Sequence, residues 1–188
     1  MNKFKTKRGF TLVEMLVTLS IIVLMSSLLI IYTRSGEKIG QLNRGVERLS
    51  FDVRRMASMS MQTKQVKDKS TGEMRDVCGW GIYFPDNKKN EYIIFSDYCL
   101  GDKKNDDLQD IGNFIYDEEE MQEVVKLGRN VIIYADTFKN FLYIPPEPKL
   151  RILDRNNSLI DMGELQLSVG PQNTKTIQLT ASGNFLIK

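Results

Sequence analysis

Residues 7–32 read KRGFTLVEMLVTLSIIVLMSSLLIIY. Two basic residues and a glycine give way at Phe10 to an apolar run of 23 residues whose one charge is Glu14. As a helix rising about 1.5 Å per residue, that run covers roughly 34 Å, enough for the ~30 Å hydrocarbon core of a bilayer. No polar stripe recurs within it at helical spacing, so it does not fit a soluble helix with one wet face. The segment reads as a membrane span. Lys3, Lys5, Lys7 and Arg8 lie ahead of it, which holds the N-terminus in the cytoplasm and places everything after Tyr32 outside. The run is too long for the apolar region of an ordinary secretory signal, and no A-x-A-like cleavage site follows.

Downstream, Ile39, Leu42, Val46, Leu49, Val53 and Met56 are spaced 3, 4, 3, 4 and 3 apart, one apolar stripe along a helix. Lys38, Asn43, Arg44, Glu47, Arg48, Asp52, Arg54 and Arg55 fall between them and read as the wet side. One helix is therefore expected from near Phe10 to about Thr63, on the order of 80 Å long. Gly36, Gly40 and Gly45 each cost about 1 kcal/mol relative to alanine in a helix interior, so bending or melting is expected where they cluster.

Glu14 is the informative residue of the apolar segment. A carboxylate there costs about 2.5–3.5 kcal/mol on insertion scales, less near the interface, and needs a partner. Cleavage between Gly9 and Phe10 would create an α-amine four residues away. Within one helix that amine points along the axis, away from the Glu14 side chain. A neighbouring subunit shifted by about one turn would instead present its Phe10 amine to Glu14, neutralising both charges and setting a register for assembly. The alternative is an interfacial carboxylate favoured by the helix dipole.

Residues 7–14, KRGFTLVE, closely resemble the signal of type IV prepilins and type II secretion pseudopilins. The basic leader, Gly9, Phe10, Thr11-Leu12-Val13 and Glu14 all fall in register with it. The resemblance implies cleavage after Gly9 by a membrane prepilin peptidase, N-methylation of Phe10 and an assembly role for Glu14. It also implies partners in other pilin or pseudopilin subunits, reached through the N-terminal helix. The expected location is the bacterial inner membrane, single-pass with a cytoplasmic N-terminus, and then an extracytoplasmic filament. Ile31 stands where many major pilins carry a helix-kinking proline, which favours a minor subunit.

Residues 64–77, KQVKDKSTGEMRDV, are polar and contain a Thr-Gly step, and read as a linker. Beyond them, strands are expected at 79–84, 91–97, 122–127, 130–135, 140–144, 149–154, 163–169, 175–181 and 184–187, where β-branched and aromatic runs are bounded by turn residues. The turn at residues 85–90 centres a hairpin near residue 88, so that partners sum to about 176 and Cys78 falls opposite residue 98. In an extracytoplasmic head this predicts a Cys78–Cys99 disulfide; the alternative is two buried thiols. Trp80, between Gly79 and Gly81, is read as core rather than as a ligand-stacking surface. Residues 101–120 hold eight acids: Asp102, Asp106, Asp107, Asp110, Asp117, Glu118, Glu119 and Glu120. A calcium loop is the alternative to a solvated one; the spacing lacks the EF-hand pattern and Lys103 and Lys104 interrupt it, which favours solvation. Glycosidase-type acid–base work by an Asp/Glu pair is the lesser alternative.

Composition narrows the chemistry further. The chain has 188 residues and no histidine, and its two cysteines cannot make a four-thiolate zinc site, so His-based nucleophile systems and His-containing zinc sites are closed. The formal charge of +2 includes four leader cations; without them it is 2 − 4 = −2, unlike an electrostatic nucleic-acid binder. No catalytic residue, metal or cofactor is expected. The fold class expected is α+β and pilin-like: a leader at 1–9, a membrane or filament-core helix at 10–33, its amphipathic continuation at 34–63, the linker at 64–77 and a mainly antiparallel β head at 78–188. The head loosely resembles the H-type minor pseudopilin group (GspH/FimT-like), whose closing hairpin is similar to KTIQLTASGNFLIK. Some members of that group bind DNA through a basic C-terminal region; here Lys175 and Lys188 alone are positive, so nucleic acid is not an expected partner. The reading is a structural subunit of a pilus or secretion pseudopilus. The alternatives are a membrane-anchored extracellular binding module or a competence-pilus subunit for DNA uptake.

Overall fold

A computed structural model describes residues 10–62, 65–69, 71–99, 112–128, 130–145 and 149–188, with the side chains of 30–35 left out. The leader, Gly9 and the acids Asp102, Asp106, Asp107 and Asp110 lie outside the described residues. The chain forms two compact units, residues 1–38 and 39–188. One helix, α1 (Leu12–Gln62), contributes its first part to the first unit and its second part to the other. Its helical assignment is uninterrupted through Gly36, Gly40 and Gly45, so the melting expected there is not seen. The hydrogen-bonding ladder and a good helix-forming sequence on either side outweigh the glycine penalties.

In the larger unit the apolar stripe of α1 does what its spacing implies. Leu42, Val46, Leu49, Val53 and Met56 are buried in the main core. Two positions depart from the expectation. Ile39, at the end of the stripe, is 48% exposed. Asp52, expected on the wet side, is fully buried against Tyr92.

The head is two antiparallel sheets. The first contains β1 (Gln65–Lys67), β2 (Met74–Tyr83), β3 (Glu91–Tyr98), β4 (Met121–Lys126), β6 (Asn140–Ile144), β7 (Lys149–Leu153) and β8 (Leu159–Ile160). Its order is β4-β3-β2-β6-β7-β8, with β1 on the N-terminal half of β2. The second has order β11-β10-β9-β5, from β5 (Ile132–Tyr134), β9 (Met162–Ser168), β10 (Thr174–Thr180) and β11 (Phe185–Ile187). The fold is α+β with a mainly antiparallel head, and the nine expected strands are present within a few residues of their expected limits. Residues 64–77 are not a plain linker. Gln65, Val66 and Lys67 pair with Asp76, Arg75 and Met74 around a turn at Gly72, a hairpin whose polar residues conceal the period-two signal. Trp80 lies in the main core, 3% exposed.

The β2–β3 hairpin has the expected register: Tyr83↔Ile93, Ile82↔Ile94, Gly81↔Phe95, Trp80↔Ser96 and Gly79↔Asp97 all sum to 176. A bulge then intervenes, and Val77 pairs with Tyr98. Cys78 is the extra residue, and a disulfide joins it to Cys99 with Cα atoms 5.0 Å apart. In an unbroken ladder Cys78 would face residue 98 and Cys99 would point to the opposite side of the sheet. The bulge re-aims Cys78 so that the two sulfurs meet.

Both faces of the first sheet are covered. Trp80, Ile82, Tyr92, Ile94, Phe141 and Ile152 join the main core with α1 and the second sheet. On the other face, Phe95, Leu142 and Leu153 form a smaller cluster beneath Phe114, Ile115 and Tyr116. Residues 112–117 thus lie as a strap over this face ahead of the short 3-10 turn Glu118–Glu120 and β4.

Candidate functional site: an uncovered apolar helix and its carboxylate

In the first unit, Leu12–Leu29 has a mean hydropathy of 2.3 and is long and apolar enough to cross a membrane, with no residue buried inside the chain. Phe10 is 78% and Leu12 80% exposed. An apolar surface of this extent needs lipid or other helices around it. The polar groups within it are mostly self-sufficient. Thr18, Ser20, Ser26 and Ser27 donate to the carbonyls of Met15, Leu16, Ile22 and Leu24 at 2.7–2.9 Å. A hydroxyl satisfied by its own helix can enter hydrocarbon without an unpaired donor.

Thr11 precedes the first helical residue and accepts the Glu14 N–H on its hydroxyl at 3.3 Å, while its carbonyl accepts from Met15 N at 3.2 Å. Thr11-Leu12-Val13-Glu14 is thus a capping sequence, with threonine at the cap and glutamate three residues on. The Glu14 side chain is exposed and, among the described residues, makes no ion pair or side-chain hydrogen bond. It is the ionisable group of this helical segment still to be neutralised. Phe10 lies two residues ahead of the helix, and Glu14 is in its first turn.

Sequence reasoning missed the polar cluster that fixes α1 to the head. Asp52 Oδ2 accepts from the Tyr92 hydroxyl at 2.6 Å and pairs with Arg48 Nε at 3.0 Å. Arg55 pairs with Glu123 on β4 at 2.9 Å and lies 3.8 Å from Asp52; Arg48 also reaches Glu123 at 3.5 Å. Burial, then the Asp52 hydrogen bond and charge, hold the Tyr92 hydroxyl well above its ordinary pKa, so it stays a donor. The one sequence signal was the flanking pattern of Arg48 and Arg55, four and three residues from Asp52 on one helix.

Two clefts of the head are lined largely by charged side chains. One, of about 270 Å³, lies beside the β2–β3 turn, where Lys88 pairs with Glu91 at 3.0 Å and Arg155 pairs with Asp86. Another, of about 350 Å³, is lined by Arg44, Arg48 and Lys126. Among the described residues, no group of three or more His, Cys, Asp or Glu side chains could hold a metal ion.

Residues 4–30 match the family model of the prokaryotic N-terminal methylation motif. That motif is the type IV prepilin-like signature and implies processing by prepilin peptidase and assembly with other pilins. The match ends within the apolar helix and does not extend to the head. No curated protein and no solved structure matches the chain.

Proposed function

We propose, from the premise that residues 4–30 carry the prepilin-type methylation motif, that this chain is a structural subunit of a type IV pilus or secretion pseudopilus. On this reading the peptidase cuts between Gly9 and Phe10 and methylates the new Phe10 amine. The helix from Phe10 onward first anchors the subunit in the inner membrane. It then moves into a filament core made of other such helices, while the head stays outside. Ile31 in place of a kinking proline favours a minor subunit.

The observation that carries the proposal is the pairing of motif and geometry. An uncovered apolar helix has its hydroxyls satisfied internally, yet bears one carboxylate without a partner among the described residues, at the position the motif prescribes. An anchor alone needs neither Gly9 nor Glu14. Docking to a neighbour's Phe10 amine would remove two charges from the apolar bundle together, and other axial offsets would leave the carboxylate buried alone.

Mass spectrometry of the protein from cells with their own prepilin peptidase tests the first step. The expected chain begins with N-methylated Phe10; a chain still beginning at Met1 would make the segment a plain signal anchor. Glu14→Leu tests the second. It should insert in the membrane normally and be processed, but fall at least about tenfold in sheared filaments, the loss expected for about 1.4 kcal/mol of pairing. Wild-type incorporation would remove the pairing mechanism while leaving processing intact.

A further inference from the structure

Where β4 ends, a cleft of about 350 Å³ opens between α1 and the chain leading to β5. Arg44 and Arg48, four residues apart and so neighbours on one face of α1, line it on the helix side together with Gln41 and Gly45. Lys126, Leu127 and Gly128 line it on the sheet side. Gly45 lets the helix come close here, since a Cβ would already lie 3.4 Å from Val131 and 3.5 Å from Leu167. The three cations differ in how far they are committed. Arg48 pairs with Asp52 at 3.0 Å and reaches Glu123 at 3.5 Å. Arg44 and Lys126 are exposed and, among the described residues, pair with no carboxylate. Glu91, opposite Lys126 in the ladder, is buried and paired with Lys88 at 3.0 Å.

The other end of β4 carries the opposite charge. Asp117, Glu118 and Glu119 are exposed in succession on the 3-10 turn that leads into the strand. Asn113 donates to Asp117 at 2.8 Å, and Glu119 lies 3.9 Å from Arg75. Glu118 has no ion pair or side-chain hydrogen bond among the described residues. The six residues Met121–Lys126 separate the acidic turn from the cleft, about 20 Å of extended chain. The strand is hydrogen-bonded into the sheet along β3, so a molecule cannot bring its own turn into its own cleft. On the strand's outer edge Lys69 donates to the Gln122 carbonyl, which places a side chain midway along that edge.

We propose that the cleft between α1 and the end of β4 receives the acidic 117–119 turn of a second copy of this chain, with Arg44 and Lys126 meeting Glu118 and Glu119. A convex turn of one sign and a concave cleft of the other sit at different places on one molecule. Their union is therefore a head-to-tail contact, which leaves a free turn at one end and a free cleft at the other and so extends rather than closes. Exposed ion pairs contribute little each. Their role here is to select which surfaces meet and in which direction, and the contact is weak and sensitive to salt. It lies wholly on the head, so it stands apart from cleavage at Gly9 and from the pairing of Glu14.

Sedimentation of the full chain in a nonionic detergent, corrected for bound detergent, tests this. At low salt the mean protein mass should rise with concentration past that of a dimer, and about 0.5 M salt should weaken the association at least about tenfold. Arg44→Glu with Lys126→Glu reverses the cleft, and Glu118→Lys with Glu119→Lys reverses the turn. All four side chains are exposed, and Arg48 is left in place because it holds the buried Asp52, so both variants should keep the denaturant midpoint of the wild type. Each variant alone should associate at least about tenfold more weakly, because like charges then face each other, and an equimolar mixture of the two should recover the association.

Recovery in the mixture is the outcome that a turn-to-cleft contact requires, and association through the apolar helix alone would not produce it. A wild type that stays single at low salt would overturn the proposal. So would folded variants that associate as the wild type does, or a mixture no more associated than its components. Growth that stops at a dimer would overturn the head-to-tail arrangement in favour of two copies paired side by side.

Discussion

A tyrosine hydroxyl and a carboxylate sealed together between a helix and a sheet depend on each other. Tyr92 and Asp52 are both fully buried, and their 2.6 Å hydrogen bond links β3 to α1. Tyr92→Phe removes the donor but leaves the carboxylate in place with Arg48. It should destabilise the head by about 1–3 kcal/mol, the cost of depriving a buried charged acceptor of a partner, read as a lower denaturant midpoint at unchanged slope. Asp52→Ala leaves the buried Tyr92 hydroxyl without its acceptor and should likewise cost about 1–3 kcal/mol, while the half-exposed Arg48 keeps Glu123 at 3.5 Å. Glu14 belongs to the same scale with the opposite logic. Its partner is proposed to come from another subunit, so its replacement should leave the stability of the isolated chain unchanged and alter assembly alone.

Among the elements, α1 and the β2–β3 hairpin respond to a single methyl group in opposite directions. A Cβ at Gly40 would meet nothing nearer than the far end of Arg44 at 3.6 Å. Gly40→Ala should therefore stabilise by about 1 kcal/mol through helix propensity alone. At Gly81 the added Cβ would lie 2.5 Å from the Phe141 carbonyl, 2.7 Å from the Phe95 ring and 2.8 Å from Leu142 Cβ. Gly81→Ala should destabilise by about 1–3 kcal/mol, as overpacking of a filled space does, and should raise exchange in the strap above it. Equal stability of the two variants to the wild type would contradict both steric readings. The register of this hairpin was legible because a turn and a periodicity are local. The bulge was not, because it answers to the disulfide partner and to the strand neighbours on either side.

At the scale of the whole molecule, the disulfide joins residues 21 apart in sequence at the end of the β2–β3 hairpin. The Cys78→Ser, Cys99→Ser double variant should lose about 3 kcal/mol by chain-entropy reasoning, and reductant should lower the midpoint of the wild type but not of the variant. An unchanged wild-type midpoint in reductant would show that the bridge contributes little beyond the packing around it.

The sequence by itself determined the apolar segment and the methylation motif within residues 4–30. It also determined the apolar stripe of α1, nine of the strands and the hairpin register. Each is written in a contiguous stretch by spacing, charge or turn chemistry, and follows from helix geometry, strand pleat or membrane thickness. Only the tertiary structure decided that Asp52 turns inward, that residues 65–67 pair with the start of β2, and that 112–117 cover a second sheet face. Asp52 looks like any solvated helix carboxylate until Tyr92 from another element supplies the hydrogen bond that makes burial tolerable. Phe114, Ile115 and Tyr116 look like a few apolar residues in an acidic loop until Phe95, Leu142 and Leu153 converge beneath them. Burial of a particular side chain depends on partners distant along the chain, and no local pattern encodes which of them will arrive.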